Sequence, residues 1–222
     1  MKTLQKVVSF LVTIAIPLFL LMTAIRVLFQ PLFLQIEYRA PGFPEDSFGF
    51  SLQDRLMWGG ISMEYMFNNQ GISFLGDQRL PDGSPLYNDR ELGHMADVKV
   101  LVQLMIRVWT VLFAALVVIL IWAWRGKWLK GLGEAYARGA WLTLGFIGAI
   151  FIAIVTGFDA LFTAFHRLFF QGDSWLFLYS DSLIRLFPIR LWQDAFIGMG
   201  ILTVIGAMIF LLIGKWFTRK TR

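Results

Sequence analysis

Residues 88–124 read NDRELGHMADVKVLVQLMIRVWTVLFAALVVILIWAW, and this stretch decides the fold. Asn88 is a good helix cap, and Glu91 three residues later completes a capping-box pattern, so a helix starts here. Nothing stops it before Trp124. From Val98 on it is apolar for longer than the ~20 residues that span a bilayer core about 30 Å thick. Three further blocks have the same character: Val7–Phe29, Trp141–Phe165 and Phe196–Phe217. The chain is 57% hydrophobic and only 16% charged, a balance that a soluble domain of this length does not have. The expected fold is therefore an all-α integral membrane protein with four transmembrane helices. The first block is longer than the roughly 7–15 apolar residues of a signal peptide, and no small-x-small cleavage site follows it. It reads as a retained anchor.

The basic residues orient these spans. Lys2 and Lys6 flank the start, Arg125, Lys127, Lys130 and Arg138 lie between spans two and three, and Lys215, Arg219, Lys220 and Arg222 form the tail. The connection from Gln30 to Asp97 holds ten acids and four arginines. Cationic loops stay in the cytoplasm, so both termini are expected there. Residues 1–29 form the first transmembrane helix and 30–97 an extracytoplasmic cap loop. Residues 98–222 carry helices two to four, with an extracytoplasmic interfacial segment at 167–195. The net charge of +5 follows from this topology and does not call for nucleic acid.

Prolines 31, 41, 44, 81 and 85 and the turn signals Asn69-Gln70-Gly71 and Pro81-Asp82-Gly83-Ser84 break up the long loop. It is expected to form a small irregular cap of a few strands or short helices. The 167–195 connection is rich in aromatics, among them Phe169, Phe170, Trp175, Phe177, Tyr179, Phe187 and Trp192. It reads as an aromatic belt or as a groove for acyl chains, with Asp181, Arg185 and Arg190 as a charged side and Pro188 as its end.

The chain has two histidines, His94 just before span two and His166 just after span three. The topology brings both to one membrane face. Imidazole is the side chain best suited to move protons near neutral pH. Arg90, His94 and Asp97 share a helix face at i, i+4 and i+7. Thr156, Asp159, Thr163 and His166 form a stripe at helical spacing on span three. An aspartate at that depth calls for a partner or a wet cavity, and Arg107 is the candidate partner. Arg26, one turn inside span one, is placed to snorkel or to meet a lipid headgroup. With no cysteine in the chain, a thiol nucleophile and thiolate metal sites are excluded. G-x-S-x-G, H-E-x-x-H and P-loop signatures are absent as well. A metal-dependent membrane hydrolase, with His94, His166 and Asp97 as the metal ligands, is one alternative. A non-catalytic lipid-binding scaffold, in which the histidines only hydrogen-bond, is another.

Glu91-Leu92-Gly93-His94-Met95-Ala96-Asp97-Val98-Lys99, leading into a span, resembles a motif of the bacterial lipoprotein intramolecular transacylase family of integral membrane proteins. Phe165-His166-Arg167-Leu168-Phe169-Phe170, followed by Asp173, Trp175, Asp181, Ile184 and Phe187-Pro188, is similar to its second motif. The four-span layout with a long first outer loop agrees. The chain departs from the family pattern after Pro188, where Ile189-Arg190-Leu191-Trp192 replaces an acid and paired aromatics, and at Tyr179-Ser180. The resemblance implies an acyltransferase with no cofactor or metal. Its partners are diacylated bacterial lipoproteins and membrane lipid. The sn-2 acyl chain of an S-diacylglyceryl cysteine passes to the cysteine's own α-amine, giving the lyso-form. His94 and His166 are implied as catalytic; Asp97, one turn from His94, is expected from the helical spacing to orient it as a third catalytic residue. Arg26, Arg90, Trp175, Asp181 and Arg185 are the expected substrate contacts.

Overall fold

The computed structural model describes residues 2–220; Arg222 of the basic tail lies outside them. The described residues form eight helices: α1 (Thr3–Leu28), α2 (Pro31–Glu37), α3 (Leu52–Phe67), α4 (Ser73–Gly76), α5 (Asp89–Arg125), α6 (Leu129–Phe169), α7 (Ser182–Leu186) and α8 (Ile189–Lys220). Of these, α1, α5, α6 and α8 are long and apolar enough to cross a membrane. They match the four expected spans, but α6 begins twelve residues before Trp141 and α8 seven before Phe196. The polar ends of both helices hid their true starts from a reading based on apolar runs.

The chain divides into two compact units. Among the described residues the first comprises 2–27, 106–156 and 197–220, and the second Leu28–Met105 and Gly157–Phe196. The first unit is built on small residues that let helices approach closely, as membrane helices do. A Cβ on Gly214 would stand 2.6 Å from the Gly133 carbonyl oxygen, and one on Gly139 2.8 Å from the Ile16 Cβ. Around these contacts pack Ile16, Leu20, Leu132, Tyr136 and Leu211, while Phe19 stacks on Trp109 and Phe113. The opposite faces present Val111, Val118 and Trp124, each more than 60% exposed, as lipid-facing side chains do.

The second unit holds the cap, and of the strands or short helices expected there the structure has the helices. Among the described residues it has a single isolated bridge, Arg79 with Pro85, and no strand. Its centre is α3, a full helix whose start is fixed by a capping box between Ser51 and Asp54. Leu34, Trp58, Leu75, Leu86 and Leu186 form an apolar core that is larger than the proline-punctuated sequence suggested. Buried polar ties close it. The Tyr38 hydroxyl donates to the Leu186 carbonyl at 2.7 Å, and the Ser62 and Tyr87 hydroxyls meet at 2.6 Å. The Arg185 Nη2 pairs with Asp46 at 3.0 Å, and the guanidinium lies 3.2 Å above the Phe50 ring. Burial alone would raise the Asp46 carboxyl, but the bonds from Arg185 and the Phe50 N–H hold it below the usual carboxylate range.

Candidate active site

The expected helix start at Asn88 is present and does more than cap. The Asn88 N–H donates to Glu91 Oε2 at 2.8 Å and the Glu91 N–H to Asn88 Oδ1 at 3.0 Å, the reciprocal pair of a capping box. The other oxygen of Glu91, which is 1% exposed, accepts the Leu183 N–H at 2.7 Å. One carboxylate thus fixes both the first turn of α5 and the entry to α7. His94 follows one turn later. His166 lies in the last turn of α6, beyond Gly157, where the backbone leaves helical geometry. That break also ends the continuous polar stripe expected from Thr156 to His166. The Thr156 hydroxyl turns back to the carbonyls of Ile152 and Ala153.

The two imidazoles meet. Their ring centroids are 6.1 Å apart and the planes differ by 24°. Both side chains are buried, at 9% and 8% exposure. Aromatic rings enclose them. Phe170 lies 4.8 Å from His94 and 5.6 Å from His166, Phe177 lies 5.4 Å from His94, and Phe162 and Trp175 lie 4.1 and 4.9 Å from His166. In such surroundings electrostatic interactions act with little screening.

The rings differ in their hydrogen bonds. His166 Nδ1 is 2.8 Å from the Phe162 carbonyl oxygen. A carbonyl only accepts, so Nδ1 carries the hydrogen and, in the neutral ring, Nε2 carries the lone pair. His94 Nδ1 is buried with no hydrogen-bond partner. A buried polar nitrogen without a partner is uncommon in folded proteins.

The structure distributes the other expected site residues unevenly. Asp97 is exposed and makes no hydrogen bond to His94, so the expected orienting contact is not formed. Nor do His94, His166 and Asp97 assemble as ligands: among the described residues no three His, Cys, Asp or Glu side chains converge to hold a metal ion. Trp175 is at the site, its indole N–H donating to the Gly172 carbonyl at 3.1 Å. Arg90 and Asp181 tie down the strap that carries Trp175 and Phe177. The Arg90 Nη1 donates to the Leu176 carbonyl at 3.0 Å, and the Asn88 amide donates to Asp181 at 3.2 Å. Together with Asn88 and 176–178 they line a shallow groove of about 400 Å³ whose wall, Phe177, also touches His94. Arg185 is committed to Asp46, as above. Arg26 stands 4.1 Å over the Trp109 ring. Asp159 and Arg107 are both exposed, and the ion pairs found among the described residues, Arg185–Asp46 and Arg190–Asp194, include neither. Sequence reasoning missed Phe162. Its carbonyl sets the His166 tautomer, and its position four residues before a helical histidine was the available signal.

Comparison with known proteins gives the same direction. A curated protein of Aquifex aeolicus, described only as uncharacterized, is 29% identical over 97% of this chain and 98% of its own. The structure of the membrane integral lipoprotein intramolecular transacylase Lit from Bacillus cereus superposes with a TM-score of 0.83 at 17% identity. That match covers 99% of this chain and 98% of the other. A structure of the same Bacillus cereus protein with one histidine replaced by alanine gives 0.74 at 17% identity, over 98% and 94%. The fold is that of an integral membrane protein. The family model for the lipoprotein intramolecular transacylase Lit matches residues 10–192, and the chain belongs to that family.

Proposed function

We propose that this chain catalyses intramolecular acyl transfer on membrane lipoproteins, moving the sn-2 acyl chain of an S-diacylglyceryl cysteine to that cysteine's own α-amine. The observation that carries the reading is the pair of buried imidazoles, 6.1 Å apart in an aromatic cage, in a member of this family. The substrate brings both nucleophile and electrophile, so the protein has to supply proton transfer and orientation. His166 Nε2, left basic by the Phe162 contact, takes a proton from the α-amine as its nitrogen attacks the ester carbonyl carbon. The carbonyl oxygen becomes an oxyanion, and an N–H of His94 donates to it. The intermediate collapses with cleavage of the carbonyl–oxygen bond to glycerol, and His166 returns the proton to the departing oxygen. One amide and one free hydroxyl result, and no water is consumed. Trp175, Phe177 and Phe170 keep water away and offer an apolar bed to the acyl chain. Arg90 and Asp181 act as positioning residues through the strap.

The reading places both termini in the cytoplasm and the histidines at the extracytoplasmic face, on the strength of the lysines and arginines around 125–138 and at the ends. Cysteines introduced at Ser84 and Gly131 should be labelled by an impermeant reagent from opposite sides.

The deciding experiment is mass analysis of the N-terminal peptide of a reporter lipoprotein made with wild type, His94→Asn and His166→Gln. Loss of a general base costs roughly 10²–10⁴ in rate. His166→Gln should therefore abolish the N-acyl lyso-form, and His94→Asn, which keeps an N–H donor, should be the milder. Equal product from all three membrane-inserted proteins would refute the assignment and favour a lipid-binding scaffold.

A further inference from the structure

A second site is visible in the other compact unit, built from residues the proposed reaction does not use. Between the end of α5 and the start of α6 lies a groove of about 660 Å³, lined by Lys2, Lys127, Lys130, Trp128, Glu134 and both Gly126 and Gly131. Three lysines line it against one glutamate. The groove also lies at the N-terminus of α6, a helix of 41 residues with no acid in its first turn. The first N–H groups of a helix have no intrahelical acceptor and carry the positive end of its dipole.

A second observation points to a ligand there. The Trp128 side chain is 5% exposed, yet its indole Nε1 is buried with no hydrogen-bond partner. An indole N–H can only donate, so what it lacks is an acceptor. Trp128 itself lines the groove, and a Cβ on Gly126, another lining residue, would come within 3.3 Å of this nitrogen. The Trp122 ring packs against Trp128 at 4.8 Å, but a π face is a much weaker acceptor than an oxygen.

The turn itself favours a cation where geometry favours glycine. The Trp128 N–H bonds to the Ala123 carbonyl and the Lys127 N–H to the Trp124 carbonyl, the two bonds of a Schellman motif. Lys127 occupies its left-handed position at φ 54°, the only non-glycine with positive φ among the described residues. Glycine suits that position best.

We propose that this groove binds a phosphate oxyanion, with the lysine ammonium groups and the indole N–H as donors at the helix terminus. An anionic lipid headgroup or free phosphate would supply the same chemistry, and the test separates them. The full chain in a mild detergent is titrated with phosphatidylglycerol, with phosphatidylcholine and with inorganic phosphate, and bound ligand is read by native mass spectrometry. Phosphatidylglycerol should bind at least tenfold more tightly than phosphatidylcholine, and less tightly as salt rises. If inorganic phosphate binds as well as phosphatidylglycerol and displaces it, the site stands and its occupant is the free ion. Two variants localise the binding. Lys127→Gly relieves the backbone, so it should leave Tm unchanged or raise it while weakening phosphatidylglycerol at least fivefold. Trp128→Phe removes only the donor and should weaken it about threefold. Equal affinity for both lipids in the wild type with no binding of phosphate would overturn the proposal. So would unchanged phosphatidylglycerol binding in both variants.

Discussion

The side chains whose surroundings say most about pH are outside the spans. Glu37, at the end of α2, is 6% exposed, and its Oε1 has no hydrogen-bond partner. Burial, and then the neighbouring Asp194 carboxyl, push its pKa up to about 7, against a smaller opposing pull from Arg190. A carboxyl raised in the folded state holds a proton that the unfolded chain has already lost above its ordinary value near 4.5. The folded state therefore binds more protons between pH 4.5 and 7, and stability falls as pH rises through that window. Below it the contribution is intact. Glu37→Gln copies the protonated form and should abolish the dependence. At pH 8 the variant should be the more stable by on the order of 2 kcal/mol. Thermal unfolding of both proteins in detergent at pH 5 and pH 8 checks this, and a wild type no less stable at pH 8 than at pH 5 would contradict it.

At the scale of helices, small residues decide which contacts form. Gly133 and Gly214 approach each other until added Cβ atoms would sit 2.7 and 2.6 Å from the facing carbonyl oxygens. Backbone cannot yield as a flexible side chain can, so Gly214→Val should separate α6 from α8 at a cost of about 1–3 kcal/mol or more. Gly148→Val, where a Cβ meets nothing within 4 Å, should be near neutral. Comparing the two melting temperatures tests the contact. Such contacts were not legible in the sequence, because a glycine in an apolar run looks the same whether or not a backbone faces it. The spans were legible, since their signal is length and hydropathy alone. So was the start of α5, because Asn88 and Glu91 carry their partnership in their spacing. The two histidines were legible as a pair through topology. The strap over them was not, because Arg90 bonds a backbone carbonyl 86 residues away and Asp181 accepts from a side-chain amide 93 residues away in sequence. Asp97 shows the opposite error. Its spacing from His94 satisfied the helical rule, yet the side chain points into the open, because sharing a face does not make two side chains bond.

At the scale of the whole molecule, two hydrophobic cores with no shared member account for the two compact units. The core of the unit that holds the histidines is closed by directional polar ties, Tyr38 to Leu186, Ser62 to Tyr87 and Glu91 to Leu183. The other relies on close helix packing at glycines. Cores of this kind define separately cooperative regions in hydrogen exchange. Leu186 is fully buried in the first of them, and its carbonyl accepts the Tyr38 hydroxyl. Leu186→Ala leaves that carbonyl in place and removes only apolar contacts, at a cost of about 2–5 kcal/mol. Exchange should then accelerate across 28–105 and 157–196 and remain close to wild type across 2–27, 106–156 and 197–220. Uniform acceleration would mean that the molecule opens as one cooperative body. Because His94 and His166 both belong to the affected unit, lipoprotein acylation should fall in the same variant while the protein stays in the membrane. That combination separates loss of the site's scaffold from loss of the spans that anchor it.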